Sequence, residues 1–164
     1  MKNIVLFLLI FSSILGYSQK RLAKLLKQEN TESIPYISVD SLEKKEGDFI
    51  LLDTREKQEY KTSHLKNAIF TGYNFFNLDS IQQQLPNKEA DIVVYCSLGI
   101  RSEDIAENLK KAGYENVLNL YGGIVEWKIH NLPVYNAAEK ETDSVHTFSK
   151  AWSKWLKTGV KVYE

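Results

Sequence analysis

The sequence predicts an α/β fold, a mostly parallel central sheet with helices on both faces. Three observations carry that prediction. Phe49–Leu52 and Ile92–Tyr95 are uninterrupted apolar runs, and Val117–Leu120 is broken only by Asn119. Short continuous apolar runs suit strands buried on both faces, as in parallel sheets. Segments of helical periodicity follow the second and third runs, and strands alternating with helices imply layered α/β packing.

The elements follow in chain order. Lys2, the apolar stretch from Ile4 to Leu15 and the small-residue exit Gly16–Ser18 have the layout of a secretory signal peptide. Ser12 and Ser13 interrupt the apolar stretch, which disfavours a full membrane span. Residues 1–18 are therefore expected to be removed on export, leaving 20 positive and 21 negative side chains, a net charge of −1. Residues 19–33 read as a polar leader with some helical tendency from Leu22, Leu25 and Leu26. Tyr36–Val39 reads as a short strand, with Asp40 and Glu43 spaced as a variant capping box for a short helix that stops at Gly47. The strand Phe49–Leu52 stops at Asp53, and the strand Ile92–Tyr95 runs straight into Cys96. Ser102 is placed to cap a helix over 103–111, with Ile105, Ala106 and Leu109 inward and Gly113 as its stop. Gly122-Gly123 turns the chain from the third strand into a helix carrying Ile124, Trp127 and Ile129, which ends before Pro133. Residues 34–135 thus form the expected domain. Residues 136–144 read as a polar linker, and Val145, Phe148, Trp152, Trp155 and Leu156 recur at helical spacing, predicting a C-terminal amphipathic helix.

Composition excludes several function classes. The chain has 164 residues, 21 basic against 21 acidic, with 43% hydrophobic and 26% charged residues. That balance fits a globular domain and gives no basic excess for nucleic acid. One cysteine supports neither a disulfide framework nor a cysteine-rich metal cluster. In an oxidising compartment a solitary thiol is either buried and inert or kept for its chemistry.

The chemistry concentrates at Cys96-Ser97-Leu98-Gly99-Ile100-Arg101-Ser102. A strand ends and a helix begins there, the place where α/β sheets bind ligands. Loop amides wrapped around the sulfur, a helix N-terminus and the permanent charge of Arg101 all lower a thiol pKa, and the thiolate is the reactive form. Gly99 permits the positive φ that a tight cradle needs.

This pattern, Cys-x-x-Gly-x-Arg-Ser, resembles the active loop of the rhodanese-like sulfurtransferase family in its single-domain form. Further matches stand in family order: Asp53-Thr54-Arg55, Glu59-Tyr60, His64, Ala68, and Gly122-Gly123 with Trp127. Ser63, Leu65 and Asn67 depart from the family's usual Gly, Ile and Pro or Gly. The resemblance covers roughly residues 34–135 and implies a rhodanese-like three-layer fold. It also implies a persulfide cycle without metal or organic cofactor. Cys96 takes a sulfur from a donor such as thiosulfate and yields it to cyanide or a thiol. The amides of residues 97–101 would hold the outer sulfur's charge. Arg101 would shape the loop, and Asp53 and Arg55 would pair at its base without acting as acid or base.

Two other readings compete with this one. Phosphatases of this fold place five residues between Cys and Arg; this chain has Ser97, Leu98, Gly99 and Ile100, and Tyr95 rather than His precedes the cysteine. The alternative function is a sulfide-carrier, redox or protein-binding module in the periplasm, for which the chain supplies no resolving cysteine. His64 reads as a scaffold residue, His130 and His146 lack metal-ligand spacing, and Trp127 reads as core. The Trp152/Trp155 stripe reads as docked on the domain itself, or as a contact with a partner protein, a second copy or a membrane surface.

Overall fold

The computed structural model describes residues 20–45 and 47–163, so the expected signal peptide, residues 1–18, lies outside the described residues. The chain divides into two compact units, Met1–Thr31 and Glu32–Glu164. In the first, residues 20–29 are helical (α1), with Leu22 and Leu26 buried one turn apart. No helix among the described residues is long and apolar enough to cross a membrane.

The second unit is built on a five-stranded sheet of order β1-β5-β4-β2-β3, every pair parallel. Its strands are β1 Tyr36–Ile37, β2 Ile50–Asp53, β3 Ile69–Phe70, β4 Asp91–Tyr95 and β5 Asn116–Leu120. Helices α2 Val39–Glu43, α3 Lys57–Thr62, α4 Leu78–Gln84 and α5 Arg101–Lys111 make the crossovers, and α6 Gly123–Ile129 follows β5. Ile92 and Val94 pack with Leu52, Val117, Ile81 of α4 and Ile105, Ala106 and Leu109 of α5. Val93 and Tyr95 point the other way by strand alternation and are fully buried too, so both faces are covered. Register places Asp53 opposite Tyr95, bringing the carboxyl ends of β2 and β4 side by side.

Several local expectations are corrected. Strand β1 stops at Ile37, and Ser38 caps α2 by accepting the Ser41 N–H at 3.2 Å; Asp40 lies inside the first turn. Helix α5 begins at Arg101 with Ile100 at its cap position, so Ser102 is not the cap. Its hydroxyl instead donates to Asn119 Oδ1 at 2.8 Å.

The C-terminal amphipathic helix does not form. Strand β8 Ser144–His146 pairs in parallel with β9 Val160–Val162, and the connection between them holds only a 3₁₀ turn, Trp152–Lys154. The apolar spacing is misleading because Phe148 has φ 64°, which no helix accommodates. Val145 and Leu156 are buried, whereas Phe148 is 52% exposed. Nor are residues 136–144 a free linker. β6 Val134–Tyr135 and β7 Glu141–Thr142 pair antiparallel, and the Asn136 side chain accepts the Ala138 and Lys140 amides within the turn. The tail is clasped to α6. Lys128 Nζ meets Asp143 Oδ1 at 2.7 Å, and the Thr158 hydroxyl donates to the Lys128 carbonyl at 2.8 Å.

Candidate functional site

The loop from β4 to α5 is held from three sides. Helix α6 is the first. Ile124 N–H donates to the Cys96 carbonyl at 3.0 Å, and Val125 N–H to the Ser97 carbonyl at 3.2 Å. Because peptide units are planar and trans, the N–H groups of Ser97 and Leu98 then point away from α6. Asn119 is the second hold, its amide nitrogen donating to the Gly99 carbonyl at 2.8 Å while its oxygen accepts from Ser102. The signal for it in the sequence is a polar side chain interrupting the apolar run Val117–Leu120, which is not among the candidate site residues above.

The third hold is electrostatic. Arg101 makes a two-pronged contact with Glu59 of α3, both N–O distances 2.8 Å, and the Ser97 hydroxyl donates to the same carboxylate at 3.1 Å. Glu59 also accepts the Glu56 N–H at 3.0 Å, which ties the start of α3 into the site. Burial pushes the Glu59 carboxyl up, but the hydrogen bonds and charge of Arg101, helped by Arg55, bring it below the usual carboxylate value. In the sequence Glu59 is only a motif match beside Tyr60, because its role depends on a contact spanning 42 positions.

Cys96 sits at the centre of this arrangement, 2% exposed, with the Gly99 N–H donating to Sγ at 3.1 Å. Gly99 has φ 99°, so the turn that aims its amide at sulfur requires glycine. Burial raises the thiol pKa. Arg101's charge, then the Ser102 and Gly99 amides, outweigh it and hold the thiol below its ordinary value.

Asp53 and Arg55 form a fully buried ion pair at 2.6 Å, and Arg55 also donates to the Ser63 carbonyl. The guanidinium lies over the Tyr95 ring, 5.8 Å from its centroid, while the Thr54 N–H and hydroxyl both bond the Tyr95 carbonyl. The pair therefore steadies the residue immediately before Cys96. His64 stacks on Tyr60 at 4.0 Å, and its Nδ1–H donates to the Tyr60 carbonyl. Its backbone exchanges two hydrogen bonds with Tyr135, pinning the 134–142 hairpin to the end of α3.

A cavity of about 180 Å³ opens above the sulfur, lined by Cys96, Ser97, Leu98, Ile100, Arg101, Phe148 and Trp152. The last two come from the tail, for which the sequence offers docking on the domain, a partner or second copy, or a membrane surface, and no place in the cavity wall. Among the described residues, no group of His, Cys, Asp and Glu side chains is arranged to hold a metal ion.

The family model described as rhodanese-like domain matches residues 38–130. The chain belongs to the rhodanese-like domain family. A thiosulfate sulfurtransferase, GlpE, of Coxiella burnetii is 30% identical over 89 residues, covering 53% of this chain and 78% of that protein. A putative sulfur carrier protein, YrkF, of Bacillus subtilis is 30% identical over 102 residues, covering 60% and 54%. Among solved structures, the rhodanese-like domain of an Anabaena protein superposes with a TM-score of 0.56 at 26% identity, covering 65% of this chain and 82% of that one.

The tail beyond residue 130 lies outside the rhodanese-like match and supplies one wall of the cavity. The geometry equips the loop for nucleophilic chemistry at sulfur. It offers a thiol with a lowered pKa, loop amides turned away from α6, and a guanidinium whose orientation Glu59 fixes.

Proposed function

We propose that the protein is a sulfurtransferase in which Cys96 carries a sulfane sulfur as a persulfide. The observation that carries this reading is the placement of Cys96 Sγ, which accepts the Gly99 N–H at 3.1 Å inside a backbone cradle and shares its cavity with Arg101. With thiosulfate as donor, the Cys96 thiolate attacks the outer sulfur. A Cys96–S bond forms, the donor S–S bond breaks, and sulfite leaves with the bonding pair. Cyanide or a thiolate then attacks the outer sulfur, and Cys96 departs as thiolate. The cradle amides are suited to stabilise the charge on the outer sulfur. The name of the GlpE relative, thiosulfate sulfurtransferase, supports thiosulfate as a donor. The YrkF relative's name favours a second reading, a carrier that holds the sulfur for another protein. We also propose export to the periplasm, supported by the signal-peptide pattern of residues 1–18.

Intact-protein mass after incubation with thiosulfate tests the chemistry. The expected gain is about 32 Da on the wild type, reversed by cyanide and absent in Cys96→Ser. Thiocyanate release over many cycles favours the enzyme, and stable loading without turnover favours the carrier. No gain with any sulfane donor overturns both. Recovery of a chain starting near Gln19 from the periplasmic fraction is the result expected for export; an uncleaved cytoplasmic chain refutes it.

A further inference from the structure

We infer that the site selects a sulfur substrate whose reacting sulfur sits on an apolar, ring-sized organic body with at most one negative charge, in preference to the thiosulfate dianion. This rests on the persulfide reading above and names the substrate class that reading leaves open.

The first argument is the wall. Leu98 and Ile100 of the loop face the same cavity as Phe148 and Trp152 of the tail. Its volume is about 180 Å³. A cavity of about 150 Å³ lined by aliphatic and aromatic side chains accommodates benzene. The second argument is charge. Arg101 is the one cation among the lining residues, and Glu59 takes both prongs of its guanidinium at 2.8 Å. A dianion entering this space loses its hydration without an uncommitted counter-charge, whereas an apolar body loses little. The third argument is the backbone of Phe148. Its φ of 64° is costly for a bulky residue. Its N–H donates to His146 Nδ1 at 3.1 Å, and Ser149 N–H to the Thr147 carbonyl at 2.7 Å, so the neighbouring backbone holds that conformation. The result is a ring centred 5.2 Å from the Arg101 guanidinium, both lining the cavity.

The proposed transfer is balanced for an organic thiosulfonate. The Cys96 thiolate attacks the outer sulfur of R–SO₂–S⁻, a Cys96–S bond forms, and the donor S–S bond breaks. The sulfinate R–SO₂⁻ leaves with the electron pair, and no proton moves.

The test compares benzenethiosulfonate with thiosulfate as donors, cyanide as acceptor, in the full chain and in Phe148→Ala, Trp152→Ala and Phe148→Leu. Because benzenethiosulfonate is intrinsically more reactive, the readout is the ratio of the two kcat/KM values, variant against wild type. The ratio is expected to fall about tenfold or more in the alanine variants, the scale of losing apolar contacts in a binding pocket, and to be largely kept by leucine. An unchanged ratio in both alanine variants overturns the inference. A second measurement needs only the wild type. Benzenesulfinate should inhibit at least about tenfold more strongly than methanesulfinate of equal charge; equal inhibition overturns the inference. If neither donor adds sulfur to Cys96, the sulfurtransferase reading itself fails and this inference with it. If both add sulfur with an unchanged ratio, only the inference fails.

Discussion

A Cβ placed on Gly123 would lie 2.3 Å from the carbonyl oxygen of Cys96. The first turn of α6 is thus in direct backbone contact with the peptide that follows the sulfur-bearing residue. Gly123 also has φ 54°, so contact and conformation both demand glycine there.

Gly123→Ala should therefore push the cradle out of shape. A displacement near 1 Å at a reacting centre costs about a hundredfold in rate, so persulfide loading should fall by about that factor. Gly113→Ala is the comparison. It also has a positive φ, 92°, but open space around the added Cβ. It should lower stability by about 1–2 kcal/mol and leave the loading rate unchanged. Stopped mass sampling and thermal melts read both.

Arg101→Gln should raise the Cys96 pKa, because Arg101 supplies the first of the influences that oppose burial. The wild-type thiolate fraction grows as pH rises through a value below the ordinary thiol pKa. In the variant, the midpoint of iodoacetamide alkylation against pH should move upward. An unmoved midpoint would remove Arg101 from thiol activation.

The same substitution has a stability signature. Glu59 has a lowered folded-state pKa, so its contribution is complete above the unfolded carboxylate pKa, about 4.3, and is lost as pH falls through the folded value. Arg101→Gln leaves that buried carboxylate without its cation, at a cost of up to about 3 kcal/mol at neutral pH. The gap in Tm between wild type and variant should narrow on acidification below the ordinary carboxylate range. A gap independent of pH would contradict the pairing.

Asp53→Ala strands the Arg55 cation in a site with no solvent access. Loss of one partner from a buried pair costs about 3–5 kcal/mol, so the urea midpoint should drop sharply. Because the Arg55 guanidinium lies over Tyr95 rather than against Cys96, loading at a temperature where the variant is folded should change far less than in Gly123→Ala.

The clasp has its own test in Gly159→Ala. An added Cβ would meet the Asp143 carbonyl oxygen at 2.7 Å, with φ 90°. The strain should cost about 1–3 kcal/mol and appear as a lower Tm. Since the tail carries Phe148 and Trp152, selectivity between donors should weaken as well. Retention of both properties would mean that the clasp does not position the wall.

The sequence disclosed the parts governed by local rules. Buried parallel strands advertise themselves as apolar runs, which placed β2, β4 and β5 and hence the ends at Asp53 and Cys96. The loop motif fixed the position of Gly99 and Arg101 against the thiol. Hidden were the short polar elements α3 and α4, whose formation depends on packing and side-chain caps rather than a long apolar stripe. Hidden too was the Glu59–Arg101 contact, since separation along the chain carries no record of distance in space. The tail failed for another reason. A period of three to four residues fits a helix, but here Val145 and Leu156 fill separate buried positions and the positive φ of Phe148 breaks the continuity between them.

Helix α6 works as a spacer of fixed length. Its first turn grips the Cys96 and Ser97 carbonyls, and Lys128 near its far end holds Asp143 and Thr158. Adding or deleting one residue within Gly123–Ile129 would rotate Lys128 by roughly 100° and shift it by roughly 1.5 Å, breaking the clasp while the grip on the cradle persists. The turn at 136–140 lies off that line, so length changes there leave both attachments in register. Insertions and deletions should therefore be accepted in the hairpin and rejected in the helix, even though the helix contributes no side chain to the cavity wall.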